Sequence, residues 1–285
     1  ESGVHPLTTQ ELIEISGQDI DVGSTLLGYG QSNGSDELRE LIAGQYDGAS
    51  ERSVLVTTGG AEANFTCFWH LFEGDAKAAI ILPTYGQVPG LLESFDSRLS
   101  GVNLREEDGW QPDLDALEAT LEDGASFVLI TNPNNPTGAS LTQASMDAIA
   151  DMTDRHGAWI LADEVYAGAE SGDERTPSFW GCHDRVLVTN SLSKAYGLPG
   201  LRLGWIMGPE HLMEELWGRT DYTTIAPASI SDQLACVALE PGTRERIGER
   251  TRSIVRKNLG VIEDWMSAQE GRFRYRRPDA GAICY

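Results

Sequence analysis

Thr189-Asn-Ser-Leu-Ser-Lys-Ala-Tyr-Gly-Leu-Pro-Gly-Leu-Arg-Leu-Gly-Trp205 is the stretch that decides how the chain is read. The apolar run before it, Val186-Leu187-Val188, has the character of a buried strand. It empties into two serines and a lysine, then a Gly/Pro loop, then an arginine. Lys194 therefore stands at a strand end beside hydroxyls and a fixed cation. That setting suits a Schiff-base lysine next to a bound phosphate ester. An isolated Ser-x-Lys would instead be read as a solvated lysine in a glycine-rich loop.

Outward from this stretch the pattern alternates. Apolar runs at Val54–Val56, Ala78–Leu82, Phe127–Thr131, Trp159–Ala162 and Val186–Thr189 suit strands buried on both faces. Helix-length segments separate several of them, at Ala61–Phe72, Asp113–Leu121 and Thr142–His156, the last closed by Gly157. Such alternation predicts an α/β domain with a mostly parallel sheet. Leu203–Met207 reads as one further strand, an antiparallel member. Near the start, Thr8-x-x-Glu11 has the form of a capping box for a short helix ending near Gly17. A glycine-rich loop from Gly23 to Gly34 holds Tyr29, and Ser35 is placed to cap a helix with Asp36 and Glu37 in its first turn. Past Pro209 the chain turns helical, with a break at Pro241-Gly242 and a long amphipathic segment from about Thr243 to Ala268.

The 285 residues carry 44 acidic against 21 basic side chains, a net charge of −23. Such a surface repels nucleic acid and anionic membranes, so neither is expected as a partner. Dense surface acid is also one adaptation to high salt, and a salt-adapted source is expected on that ground. No run is long and apolar enough to cross a membrane, and no signal-peptide pattern opens the chain. Cys67, Cys182, Cys236 and Cys284 are scattered without a C-x-x-C pair, which fits reduced thiols in a cytoplasmic protein. The five histidines lack metal-ligand spacing, and no metal is expected. Glu1 is not an initiator methionine, and Pro278-Asp-Ala-Gly-Ala-Ile-Cys-Tyr285 reads as the start of a new strand, as though the chain were cut at both ends.

Four further segments leave predicted strands in a manner suited to ligand binding. Thr57-Thr-Gly-Gly-Ala-Glu-Ala-Asn64 passes through glycines into a helix, whose first backbone N–H groups form a ready anion site. Pro83-Thr-Tyr-Gly-Gln87, Asn132-Pro-Asn-Asn-Pro-Thr-Gly138 and Asp163-Glu-Val-Tyr166 follow the next strands. Strand carboxyl ends are where ligands gather in parallel sheets. Taken alone, each segment also has a plain reading as a tight connection, a core aromatic, a Pro/Asn loop and a solvated acidic pair.

Together with Ser191, Ser193, Lys194, Gly200, Arg202, Gly204 and Trp205, these segments resemble the class I/II aminotransferases, the fold type I pyridoxal-phosphate enzymes. The resemblance implies a three-layer α/β sandwich with a mostly parallel central sheet, and the beginning of a small C-terminal α+β domain. Its domains would be an N-terminal segment and dimer-contact loop (1–34), a large cofactor-binding domain (35–240), and a linking helix with the start of the small domain (241–285). It implies pyridoxal 5′-phosphate on Lys194, its phosphate held by Gly60, Ala61, Glu62, Ser191, Ser193 and Arg202. Tyr85 would lie against the pyridine ring, Asn135 and Tyr166 would donate to the phenolic oxygen, and Asp163 would pair with the ring nitrogen. Tyr29 would reach the phosphate in a neighbouring subunit, making the protein a homodimer. The resemblance also implies that Lys194, Asp163 and Tyr166 would carry the chemistry, with an L-amino acid and a 2-oxo acid as substrates.

The family also clamps the substrate α-carboxylate with an arginine of the small domain. Arg272, Arg274, Arg276 and Arg277 precede that region, and none of them matches it. A second resemblance runs beside the first. Ser2-Gly-Val-His5 and Ser193-Lys-Ala-Tyr-Gly-Leu-Pro-Gly-Leu-Arg202 are similar to pyridoxal-phosphate cyclases of the capreomycidine-synthase type, which act on an arginine derivative. The same cofactor cradle supports either chemistry.

Overall fold

The computed structural model describes residues 5–72, 76–95, 98–269, 271–281, 283 and 285. In chain order the elements are α1 (Thr9–Ser16), α2 (Asp36–Ala43), β1 (Val54–Thr57), α3 (Gly60–Leu71), β2 (Lys77–Leu82), α4 (Gln87–Ser94), β3 (Arg98–Arg105), β4 (Gln111–Pro112), α5 (Leu114–Glu122), β5 (Phe127–Thr131), α6 (Gln143–His156), β6 (Trp159–Asp163), β7 (Val186–Ser191), β8 (Gly204–Met207), α7 (Glu210–Thr220), α8 (Ser229–Leu239) and α9 (Pro241–Ser267). The helix ends follow local chemistry. Thr8 and Glu11 close a reciprocal capping box on α1, Ser35 caps α2, and left-handed Gly157 ends α6. Pro241 occupies the first turn of α9, where its missing N–H costs no hydrogen bond.

The strands form one eight-stranded sheet in the order β1-β8-β7-β6-β5-β2-β3-β4. β7, β6, β5, β2 and β3 are mutually parallel, and β8 runs antiparallel to both β7 and β1. Successive residues along each central strand feed opposite cores, as the two-residue period of a strand requires. Val54, Val56, Ile81, Val128, Ile130, Ile160, Val186 and Val188 face one side with Leu38, Ile42, Leu117 and Ile149 from the helices. Leu55, Ile80, Leu129, Leu161, Leu187 and Ile206 face the other with Phe68, Leu92 and Leu216. The result is a three-layer α/β sandwich, as the resemblance implies, with the mostly parallel centre that the alternating pattern predicts.

The register collects the functional ends at one edge. Thr131 pairs with Asp163, Asp163 with Thr189, and Ser191 with Gly204, which also pairs with Thr57. Because β8 is reversed, its first residue lies level with the last residues of its neighbours. Arg202 therefore reaches the same edge as Lys194 while approaching from the opposite chain direction.

Three elements go beyond the sequence reading: α4, β3 and β4. β3 lies near the sheet margin, its outer neighbour β4 pairing with only two of its residues, and its first half is exposed. A strand wetted in that way lacks the continuous apolar run by which the inner strands are recognised. The strand expected over Pro278–Tyr285 is not present among the described residues. Ala280 makes a single antiparallel bridge to Glu170, while Ala282 and Cys284 lie outside the described residues. Ser2, Gly3 and Val4 of the opening segment lie outside them as well. Cys67, Cys182 and Cys236 are free thiols. Among the described residues no helix is long and apolar enough to cross a membrane.

Candidate active site

The loops leaving this edge enclose a cavity of about 570 Å³. Gly60, Ala61, Tyr85, Asn135, Asp163, Tyr166, Ser191, Ser193, Lys194 and Arg202 all line it, so ten of the twelve sequence-predicted residues meet in one place. The other two lie elsewhere. Glu62 turns its carboxylate away to accept hydrogen bonds from the Thr58 backbone N–H and from the Thr223 and Thr224 hydroxyls. That leaves only its backbone for the cavity. Tyr29 is 85% exposed and outside the cavity, on a loop where Leu26 and Leu27 are equally bare.

One end of the cavity is built for an anion. α3 starts at Gly60 with no side chain capping its first N–H groups. An uncapped helix start presents unpaired donors and the positive end of the helix dipole. Ser191 and Ser193 stand beside it, the Ser193 backbone N–H donating to Ser191 Oγ at 3.2 Å. Arg202 spans the same corner. Its guanidinium donates to the Pro199 carbonyl (2.9 Å) and Ser193 Oγ (3.4 Å), and no carboxylate pairs with it among the described residues. Arg202 is held at φ +46° and Gly59 at +84°. A Cβ on Gly59 would come within 2.5 Å of the Arg202 guanidinium, so glycine gives the cation its passage. A non-glycine residue in the left-handed region is strained, and such strain concentrates at functional sites.

The opposite end holds a buried carboxylate. Asp163 closes β6 and accepts from Asn64 Nδ2 (2.9 Å) and the Val165 backbone N–H (3.2 Å). Burial raises its pKa, while those two donors and Lys194 pull it back down. Between the two ends lies Lys194, its Nζ 5.8 Å from the centre of the Tyr166 ring. Burial lowers the lysine pKa and Arg202 adds to the effect, with Asp163 opposing. Desolvation thus favours the neutral amine, the form in which a lysine is a nucleophile and a base. Tyr166 Oη accepts from Asn135 Nδ2 at 3.5 Å, and burial pushes its pKa up to about 12, keeping it a proton donor.

The Asn-Pro loop explains itself once its hydrogen bonds are followed. Asn132 Oδ1 accepts from the Leu141 backbone. Asn134 accepts from Thr137 and donates to the Pro83 carbonyl. Those two asparagines brace the loop, which leaves Asn135 to face the cavity. Tyr85 sits at the rim, 45% exposed. Arg274 and Arg277 pair on the surface with Glu106 and Glu263, and neither reaches the cavity. Six further residues line it with no role assigned from the sequence: Pro6, Thr131, Val165, Pro199, Asn64, on the helix that leaves β1, and Gln87, at the start of α4.

The chain matches the family described as aminotransferase class I and II over residues 5–285. It belongs to that family. Capreomycidine synthase of Streptomyces vinaceus is 29% identical over 287 residues, covering 100% of this chain and 73% of that protein. A pyridoxal-phosphate-dependent aminotransferase from Streptococcus suis superposes with a TM-score of 0.91 at 30% identity, over 98% of this chain and 74% of that one. The pyridoxal-phosphate-dependent cyclase OrfR gives 0.90 at 26% identity, over 99% and 73%. Several other curated relatives are matched over about two thirds of their length. The fold is that of the fold type I aminotransferases, and pyridoxal 5′-phosphate is the cofactor. The cavity fits it: a cation and free helix-start amides for a phosphate at one end, a buried carboxylate for a ring nitrogen at the other, and an amine between them.

Proposed function

We propose that the protein is a pyridoxal-phosphate-dependent transaminase acting between an L-amino acid and a 2-oxo acid, with Lys194 as the residue that links the cofactor and moves the proton. The observation that carries this is that the neighbouring strands β8, β7 and β6 bring Arg202, Lys194 and Asp163 into one cavity, the lysine within electrostatic reach of both. When bound, the cofactor supplies an electron sink that stabilises negative charge at the substrate α-carbon. Gly60, Ala61, Glu62 (through its backbone), Ser191, Ser193 and Arg202 bind and orient the phosphate by hydrogen bonds and one fixed charge. Asp163 holds the ring nitrogen protonated. Asn135 and Tyr166 donate to the phenolic oxygen, and Tyr85 covers the ring. Lys194, whose charged form burial disfavours, would take the proton from the substrate α-carbon and hold it for return.

The exposed loop carrying Leu26, Leu27 and Tyr29 supports a homodimer in which Tyr29 reaches the neighbouring subunit's phosphate. Bare apolar side chains of this size mark contact surfaces. We assign residues 1–34 to that contact, 35–240 to the cofactor-binding domain, and 241–285 to a linking helix and the start of a smaller domain. The free thiols and lack of a membrane-crossing helix among the described residues support a cytoplasmic setting.

A second reading is favoured by the likeness to capreomycidine synthase and to the cyclase structure: an amino-acid cyclase or lyase using the same cradle. Absorbance separates the two. Protein loaded with pyridoxal phosphate should show a visible band that Lys194→Ala lacks. Bleaching of that band by one amino acid, with release of its keto acid, and recovery on adding a 2-oxo acid establish transamination. Substrate consumed without keto-acid formation establishes the cyclase or lyase. A protein with no Lys194-dependent band overturns both.

A further inference from the structure

We propose that Asn64 is a positioning residue for Asp163, holding that carboxylate ionised and aimed at the cofactor's ring nitrogen while tying it to the phosphate end of the cavity. The inference rests on the reading of Asp163 given above. Asn64 lies one turn into α3 and is almost wholly buried. Its amide is saturated. Thr189 Oγ1 donates to Asn64 Oδ1 at 2.7 Å, and Asn64 Nδ2 donates to Asp163 Oδ2 at 2.9 Å and to Gln87 Oε1 at 3.3 Å. Gln87 Nε2 in turn donates to the carbonyl of Ala61, in the turn that cradles the phosphate, at 2.9 Å.

The direction of these bonds follows from the donors available. The Thr189 hydroxyl is completely buried inside β7, two residues before the strand ends, and its proton goes to Asn64 Oδ1. Asp163 and Gln87 Oε1 both present acceptors, so the amide turns its NH₂ toward them and its oxygen toward Thr189. The reversed amide would set an oxygen against a carboxylate in a dry site, leaving both without a proton between them. The orientation that satisfies every group thus gives Asp163 Oδ2 a donor, beside the Val165 N–H on Oδ1. Burial drives the Asp163 carboxyl toward its neutral form, and the Asn64 N–H is foremost among the groups opposing it. A neutral Asp163 would no longer favour a protonated ring nitrogen. The second Asn64 hydrogen extends the same constraint through Gln87 to Ala61, so the two ends of the cofactor site move together.

Three variants of the complete protein test this: Asn64→Leu, which removes both donors at similar size; Asn64→Asp, which sets a second carboxyl against Asp163; and Thr189→Val, which removes the hydroxyl partner of Asn64 Oδ1. Each is loaded with pyridoxal phosphate labelled with nitrogen-15 in the ring, and the ring-nitrogen chemical shift and cofactor Kd are measured. Wild type should show the protonated-ring signal. Both Asn64 variants should move it toward the unprotonated position and bind the cofactor about ten- to hundredfold more weakly. Thr189→Val should fall between. Gln87→Leu should weaken binding with the ring signal unmoved. A protonated-ring signal unchanged in every variant overturns the inference, because a residue that only packs would alter melting temperature and not this shift. An unprotonated ring in wild type overturns the role of Asp163 itself. If the Asn64 variants do not fold, a wild-type signal in Thr189→Val overturns the inference and a displaced one upholds it.

Discussion

At the scale of single residues, Glu164 shows how much the site depends on where a carboxyl points. It follows Asp163 directly, yet the strand alternation turns it away from the cavity. There it accepts from Ser178 Oγ at 3.0 Å and the Phe179 backbone N–H at 2.8 Å. Burial pushes its pKa up to about 8, against the pull of those two donors. A carboxyl whose folded pKa is raised binds its proton more tightly folded than unfolded. Its contribution to stability is therefore complete in acid and is lost as pH rises from the ordinary carboxylate range through about 8. Glu164→Gln keeps the acceptor and cannot ionise. Its melting temperature should exceed wild type at pH 9 and converge on it near pH 5; parallel curves would refute the assignment. In the sequence Asp163 and Glu164 are two adjacent acids, and the resemblance separated them before any geometry did. Asn64 was not separable in that way. Between Ala63 and Phe65 it reads as one polar residue on an apolar helix, and only the tertiary pairing with Thr189 and Asp163 gives it a task.

Among the elements, β8 is the one on which the site's geometry turns. A Cβ on Gly204 would lie 2.5 Å from the Gly59 carbonyl carbon, 2.6 Å from the Gly60 nitrogen and 2.8 Å from the Asn190 oxygen, all backbone atoms. Glycine there lets the phosphate turn, β7 and β8 close on one another. Gly204→Ala should cost at least about 2 kcal/mol of stability, as overpacking does. It should also weaken phosphate-dependent cofactor binding, since Gly60 must shift. Equal stability and affinity in calorimetry would show that the contact relaxes freely. The inner strands were legible because burial on both faces demands a continuous apolar run, and the sequence limits of β5 match the structure residue for residue. α6 was legible from its Thr142 cap and Gly157 stop. α4 and β3 were not: α4 is short and carries Pro89 and Gly90, and β3 has Gly101 at its centre with one half open to water. Neither keeps a period long enough to be read.

The whole molecule carries its −23 charge on a scaffold that also exposes an apolar loop. Self-repulsion at that charge destabilises the compact state and any association of two copies. Screening shortens from about 10 Å at 0.1 M salt to about 3 Å at 1 M. Melting temperature should therefore climb across that range, and a flat or falling curve would argue against salt adaptation. In the proposed homodimer, where Tyr29 would serve a neighbour and Lys194 its own subunit, Lys194→Ala and Tyr29→Ala would fall into different complementation groups. Each homodimer would be crippled, Lys194→Ala completely. Mixed and re-associated, the two inactive-type chains would form hybrids in which one site bears both lesions and the other bears neither, so activity would return from two broken parents.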